Sequence, residues 1–179
     1  RGLGDVYKRQ VRHRGTIGGA LAHGDPASDI PSAALALRAS FIIEGPSGER
    51  EVGADDFFTG FLETALEPEE LLTEIRVPKL PNSKWSFQKF NRRAQDWAIV
   101  GASVLIADNQ CGVGLVNMDF KPVRAAALEE AIESGASAEE ASLLAADGLE
   151  PPSDLNASTE YRSHLARVLT KRGLQESGK

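Results

Sequence analysis

The chain has 179 residues, 41% of them hydrophobic, which is enough to bury a core as one domain or as two small ones. A net charge of −6 and a pI of about 5.2, with no basic cluster beyond short local runs, argue against nucleic acid as the main partner. A single cysteine, Cys111, excludes an internal disulfide and cannot hold an iron–sulfur cluster alone, and a buried structural thiol is its expected role. No apolar run approaches a membrane span and no signal-peptide pattern is visible, so a cytoplasmic setting is expected.

In chain order, residues 1–10 lack an initiator Met, and Asp5-Val6-Tyr7-Lys8-Arg9-Gln10 reads like a translated transposon adaptor; 1–10 is set aside as a non-native tail. Gly15-Thr16-Ile17-Gly18-Gly19 follows. Three glycines in five residues let backbone approach a ligand where a Cβ would clash, and successive N–H groups there can form an anion-binding concavity. It is neither the G-x-G-x-x-G fingerprint nor a P-loop, and a plain tight turn is the alternative. Asp29 stands where a helix N-cap is expected, its carboxylate accepting from the Ser32 N–H, since Pro31 has none. The pattern is that of a diphosphate cradle followed by a carboxylate able to hold a hydroxyl.

Strands are expected over 40–44 and 50–52 around a Pro46-Ser47-Gly48 turn. A short helix from Asp55/Asp56 places Phe57, Phe58, Phe61 and Leu62 at helical spacing, as core. Pro68-Glu69-Glu70 is a turn, 72–77 alternates as a strand, and 78–83 with its two prolines is a boundary. Beyond it, 85–92, 99–107 and 112–117 are expected strands. Pro122 suits the first turn of a helix through Ala125, Ala126, Leu128 and Ile132. Ser137 with Glu140 is a capping box for a helix ending at Gly148. A third helix starts at Ser158 or Thr159, with Tyr161, Leu165, Val168 and Leu169 on one face and Arg167, Lys171 and Arg172 near its C-terminal end. Three strands followed by three helices is an α+β arrangement. His13, His23 and His164 are dispersed, so no metal site is assigned, and no catalytic triad is legible.

The string Arg12-His13-Arg14-Gly15-Thr16-Ile17-Gly18-Gly19-Ala20-Leu21-Ala22-His23-Gly24-Asp25-Pro26-Ala27-Ser28-Asp29 resembles the second flavin-binding segment of the FAD subunit of molybdenum hydroxylases, the family of carbon monoxide dehydrogenase medium subunits and xanthine dehydrogenase FAD domains. The resemblance runs on through Asp56-Phe57-Phe58-Thr59-Gly60, Thr64-Ala65-Leu66-Glu67-Pro68-Glu69-Glu70-Leu71-Leu72, Lys89-Phe90-Asn91-Arg92-Arg93, Lys121-Pro122-Val123-Arg124-Ala125 and Tyr161-Arg162. It implies an α+β fold. Residues 11–78 would be the second part of an FAD-binding lobe of the PCMH/vanillyl-alcohol-oxidase type. Residues 79–179 would be a C-terminal domain of three antiparallel strands and a three-helix cluster.

The resemblance also implies a site. Thr16, Ile17, Gly18 and Gly19 would meet the FAD diphosphate, Asp29 the ribose or adenine side, and Asp25 is a weaker candidate. Leu72 would lie against a flavin or adenine ring, and Lys89 near the flavin's pyrimidine edge. Trp97 would lie near the flavin or, as the residues alone favour, in the core. No residue of the chain is assigned catalysis; the chemistry would be the flavin's. The implied partners are a molybdopterin-binding large subunit and a [2Fe–2S] small subunit, in a dimer of heterotrimers. Electrons would pass from the clusters through FAD to a quinone, NAD⁺ or O₂. A first lobe carrying another Gly-rich segment would precede the part seen here, so this stretch alone would hold FAD weakly. The alternatives are a flavin-less module that only docks to its partner subunits and an independent flavin reductase.

Overall fold

The computed structural model describes residues 13–93, 96–107 and 110–179. The expected tail 1–10 lies outside the described residues. In chain order the elements are α1 (Ile17–His23), α2 (Asp29–Ala36), β1 (Ser40–Gly45), β2 (Gly48–Gly53), α3 (Ala54–Phe57), β3 (Phe58–Gly60), β4 (Glu63–Thr64) and β5 (Leu71–Arg76). They are followed by β6 (Lys84–Phe90), β7 (Val100–Ala107), β8 (Gln110–Val116), β9 (Val123–Arg124), α4 (Ala126–Glu133), α5 (Ala138–Ser142) and α6 (Thr159–Glu176). No helix among the described residues is long and apolar enough to cross a membrane.

The N-terminal elements form an antiparallel sheet in the order β2-β1-β5, its hairpin closed by Gly45 opposite Gly48. Gly48 has φ +105°, a conformation that suits glycine in so tight a turn. Phe41, Phe57 and Phe58 are fully buried beneath this sheet and meet edge to face, with centroids 4.5, 5.2 and 6.3 Å apart. The expected helix carrying Phe57, Phe58, Phe61 and Leu62 is a single turn. The chain leaves it at Phe58 as strand β3, which exposes Phe61 and Leu62, the latter at φ +56°.

The second sheet is antiparallel in the order β6-β7-β8-β9. It has four strands where three were expected: Val123 and Arg124 pair with Leu115 and Gly114, and the helix expected from Pro122 starts later, at Ala126. The period-2 alternation of β7 and β8 sends Val100, Ala102, Val104, Cys111, Val113 and Leu115 to one face, where they form a core with α4, α5 and α6. Burial raises the Cys111 thiol to about 12, so it is an inert structural sulfhydryl. The Ser137–Glu140 capping box is present, although α5 ends at Ser142 and only turns continue to Gly148. Ser158 caps α6 by accepting from the Tyr161 N–H. The buried face of α6 is Arg162, Leu165, Ala166, Leu169, Thr170, Gly173 and Leu174. Tyr161 is exposed, and the helix runs to Glu176, so Arg167, Lys171 and Arg172 precede its last turn.

The other face of this sheet receives α2. Gly112 and Gly114 lie beneath it, and a Cβ at either would come within 1.9 Å of the carbonyl oxygen of Ala36 or Ser32. The helix backbone thus rests on the strand backbone, a contact only glycine allows. The buried hydroxyls of Ser32 and Ser103 meet at 2.9 Å across the same interface. Trp85, Phe87 and Lys89 share this face of β6, and Trp85 is 73% exposed.

A buried charge cluster joins the same elements at the far end of α2. Glu129 accepts from the Val113 N–H at 2.6 Å and lies 3.3 Å from Arg38 and 3.6 Å from Arg124. Arg124 reaches Asp55 at 3.1 Å. Desolvation raises the Glu129 carboxyl from 4.5 to about 7, against the opposing pull of Val113, Arg124 and Arg38.

Three outcomes are expected. Gly114→Ala lowers the unfolding free energy by about 3 kcal/mol, because backbone rather than a flexible side chain blocks the new methyl. Gly18→Ala, with nothing within 4 Å of its Cβ, leaves the denaturant midpoint unchanged or raises it. Glu129 is more basic folded than unfolded, so its stabilisation is complete below pH 4.5 and is lost as the pH rises through about 7. Glu129→Gln therefore flattens the stability–pH curve over that window by up to about 3 kcal/mol, measured by denaturant titrations at pH 5 and pH 8.

Candidate functional site

The Gly-rich stretch is not a free turn but the start of α1. Thr16 is the N-cap, its Oγ1 accepting from the Gly19 N–H at 3.0 Å. A Cβ on Gly19 would meet that same oxygen at 2.9 Å, a contact with a side-chain hydroxyl that a small shift of Thr16 relieves. Gly18 is different: its φ is not left-handed and no atom of the described residues lies within 4 Å of where its Cβ would be. Glycine in a helix costs about 1 kcal/mol relative to Ala, and nothing inside the fold requires it at this position. The N–H groups of a first helical turn have no intrahelical acceptor, and of these the Gly19 N–H is taken by Thr16 Oγ1. Ile17 is 61% exposed next to them.

α1 ends at Gly24, φ +64°, whose Cβ would meet Thr64 Cγ2 at 3.0 Å. Asp25 Oδ1 then accepts from the Ala27 N–H at 2.8 Å, an Asx turn that leads into α2. Ser28, not Asp29, is the N-cap of α2, and it makes no side-chain cap bond. Asp29 is the first helical residue. Ser32 donates its hydroxyl to the Asp29 backbone carbonyl at 2.8 Å, and both Asp29 carboxylate oxygens lie 2.8 Å from Lys89 Nζ. Lys89 reaches this pair because the alternation of β6 puts it on the α2 face.

A cleft of about 740 Å³ opens between Asp25, Pro26 and Ala27 on one side and the β6–β7 connection on the other, with Phe61 at its edge. Arg92, Arg93, Asp96 and Trp97 line it from that connection, and Asn117, Asp154, Asn156 and Arg162 complete the wall. Trp97 is 69% exposed here and not in the core, because its neighbours Ala98 and Ile99 take the buried positions. Arg162 is only 2% exposed. It donates through Nη1 to the Ile99 carbonyl and through Nη2 to Asp154 Oδ2 at 2.8 Å. Burial pushes the Asp154 carboxyl up, but the Asn156 and Ala157 N–H groups together with Arg162 outweigh it and hold the group below the usual carboxylate range.

The sequence-expected residues therefore fall in separate places. Thr16, Ile17, Gly18 and Gly19 form the first turn of α1, and Asp25 lines the cleft. Asp29 and Lys89 meet each other. Leu72 packs partly buried on the phenylalanine core, while its neighbour Leu71 is the exposed one. Arg162 and Asn117 were not anticipated. An arginine on the apolar stripe of α6 was the visible signal for the first; the position of an asparagine just past the end of a strand hinted at the second.

Residues 3–80 match the model of the FAD binding domain in molybdopterin dehydrogenase, and residues 85–177 match that of the CO dehydrogenase flavoprotein C-terminal domain. The chain belongs to the carbon monoxide dehydrogenase flavoprotein family. The first match begins inside the 1–10 stretch that was set aside from the sequence. The carbon monoxide dehydrogenase medium chain of Hydrogenophaga pseudoflava is 38% identical over 177 residues, covering 92% of this chain and 61% of the relative. The glyceraldehyde dehydrogenase medium chain of Sulfolobus acidocaldarius is 34% identical, covering 98% and 65%. Among solved structures, the Hydrogenophaga pseudoflava carbon monoxide dehydrogenase lacking the Mo-pyranopterin moiety of its molybdenum cofactor superposes with a TM-score of 0.86 at 37% identity, over 94% of this chain and 62% of that one. Quinoline 2-oxidoreductase from Pseudomonas putida 86 gives 0.81 at 32%, over 94% and 62%. The chain thus spans about six-tenths of the length of the relatives it matches.

The Asp29–Lys89 pair is partly exposed, with side chains 45% and 29% accessible, so its strength is modest. A double-mutant cycle of Asp29→Ala and Lys89→Ala is expected to give a coupling of about 0.5–1 kcal/mol in urea unfolding. Strict additivity would mean the pair does not persist in solution.

Proposed function

We propose that this chain is the flavin-carrying part of a molybdenum hydroxylase, relaying electrons from [2Fe–2S] clusters of a small subunit to an external acceptor. The observation that carries this reading is the bare surface over Gly18 on the first turn of α1, in a segment that the FAD-binding family model matches. The residues fit such a cofactor: orphan amides for a diphosphate, an exposed aromatic beside an open cleft, and a lysine in hydrogen-bond contact with a carboxylate.

Bound FAD would supply the redox chemistry, taking up electrons and releasing them to an acceptor. The amides of Ile17 and Gly18 would hold the diphosphate, with Thr16 Oγ1 keeping the turn in place by its bond to Gly19. Asp29 would accept from a cofactor hydroxyl. Lys89 would offer a cation to the negative charge that the ring gains on reduction, and both would have to share or exchange the ion pair they make with each other. Leu72, turned into the core, would support the site from beneath rather than stack directly.

In this reading residues 11–78 belong to the flavin-binding lobe and 79–179 to the C-terminal domain. The partners are a molybdopterin-binding large subunit and a [2Fe–2S] small subunit, arranged as a dimer of heterotrimers in the cytoplasm. Relatives named as carbon monoxide dehydrogenase and nicotine 6-hydroxylase medium subunits support this arrangement.

Gly18→Val in the complete subunit separates cradle from fold. No atom of the described residues lies within 4 Å of a Cβ at this position, so the melting temperature is expected to stay within about 2 °C, while FAD affinity falls at least about a hundredfold. Fluorescence titration beside a melting curve reads both. Unchanged FAD affinity in the variant would sink the cradle, and absence of FAD from the wild-type subunit would favour the flavin-less docking module.

A further inference from the structure

We propose that Asn117 is a positioning residue that sets Trp97 across the cleft from the flavin-binding segment; the role of Trp97 toward FAD rests on the function proposed above. Asn117 lies just past β8 at φ +57°, the left-handed conformation that asparagine tolerates better than most residues. This turn points its two donors in different directions. Its backbone N–H donates to the Pro26 carbonyl at 2.9 Å, within the segment that joins α1 to α2. Its side-chain Nδ2 donates to the Ala98 carbonyl at 2.5 Å, in the β6–β7 connection. One residue therefore ties together the two walls of the cleft.

The backbone on either side of Trp97 is pinned. The Asp96 carbonyl accepts from Asn91 Nδ2 at 3.2 Å, and the Ala98 carbonyl accepts from Asn117. The Ile99 N–H donates to the Phe90 carbonyl at 2.8 Å, and the Ile99 carbonyl accepts from the buried Arg162 guanidinium. Ala98 and Ile99 are 2% and 6% exposed, and Trp97 is 69% exposed. The frame is buried and the indole is not, so these bonds orient a side chain that receives little packing of its own. That is the arrangement of an aromatic surface held ready for a ligand. Arg162 secures the far end of the frame, and Asn117 relates it to Pro26.

Asn117→Gly tests the assignment, because glycine accepts the positive φ and keeps the N–H to Pro26 while deleting the amide. Asn117→Asp is the second variant should glycine loosen the chain; a carboxylate cannot donate to the Ala98 carbonyl. The first readout is fluorescence anisotropy of Trp97 in the complete subunit carrying Trp85→Phe, which leaves Trp97 as the only tryptophan of the 179 residues seen here. Faster indole motion in the Asn117 variants is expected whether or not FAD is present. The second is a cycle of FAD dissociation constants for wild type, Asn117→Gly, Trp97→Ala and the double variant. Each single change is expected to weaken binding by about tenfold, and the double change by no more than about tenfold, since both act through the same indole. Unchanged anisotropy, or losses that multiply to about a hundredfold, would overturn the assignment. A wild-type subunit that binds no FAD would defeat the flavin reading, and the anisotropy would still decide the positioning role.

Discussion

The backbone of α2 rests directly on the backbone of β8, and the candidate site is measured from that contact. Gly112 and Gly114 leave no side chain between the two at these positions, a helix seated on a strand with no tolerance for a single methyl. Close packing of this kind transmits position, since neither element can slide without a clash. The N-terminal end of α2 carries Asp29, and its partner Lys89 stands two strands away on the same sheet face. The residues just before α2 are fixed by Asn117, which directly follows β8. The flavin-binding segment is thereby referenced to the sheet at several points along one strand.

The charges around this contact follow one logic. Glu129, Arg124 and Arg38 sit at the end of α2 away from Asp29, where desolvation is strong enough to raise the Glu129 carboxyl toward neutral pH. Arg162 is buried behind the cleft, held by a carbonyl and by Asp154. Ion pairs in such places contribute little net stability, because desolvation offsets most of their attraction; their effect is to make alternative arrangements unfavourable. The polar groups that face open solvent, Asp29 with Lys89 and the first-turn amides of α1, carry no such constraint. A rigid, desolvated frame behind a hydrated site is what ligand binding with little rearrangement requires.

Much of the fold was legible because local rules and tertiary demands agree. The Pro46-Ser47-Gly48 hairpin, the Ser137–Glu140 box, the Ser158 cap and the alternation of β7 and β8 are all where their chemistry puts them. The failures share a cause, in that a distant partner decided the outcome. Phe57, Phe58, Phe61 and Leu62 have helical spacing, but Phe58 is needed against Phe41, and following it ends the helix. Asp29 has every local qualification for an N-cap, yet an ammonium on β6 takes its carboxylate. Glycines alternating in a strand announce close approach of something, without saying that it is α2.

The site was legible in a different way. The groups we propose to face the cofactor are mainly backbone amides, which leave no side-chain signature, and a short Gly-rich string admits many readings. What the string does encode is an absence, and its meaning depends on the fold around it. Gly24 is explained by its left-handed φ, and Gly112 and Gly114 by α2. Gly18 has no such explanation among the described residues, since none of their atoms lies within 4 Å of its Cβ and its backbone is ordinary helix. A residue that weakens its helix and relieves no clash among the described residues leaves room there for a ligand. The family match gives an FAD-binding domain over this stretch, and the open space over Gly18 is where we propose that the cofactor binds.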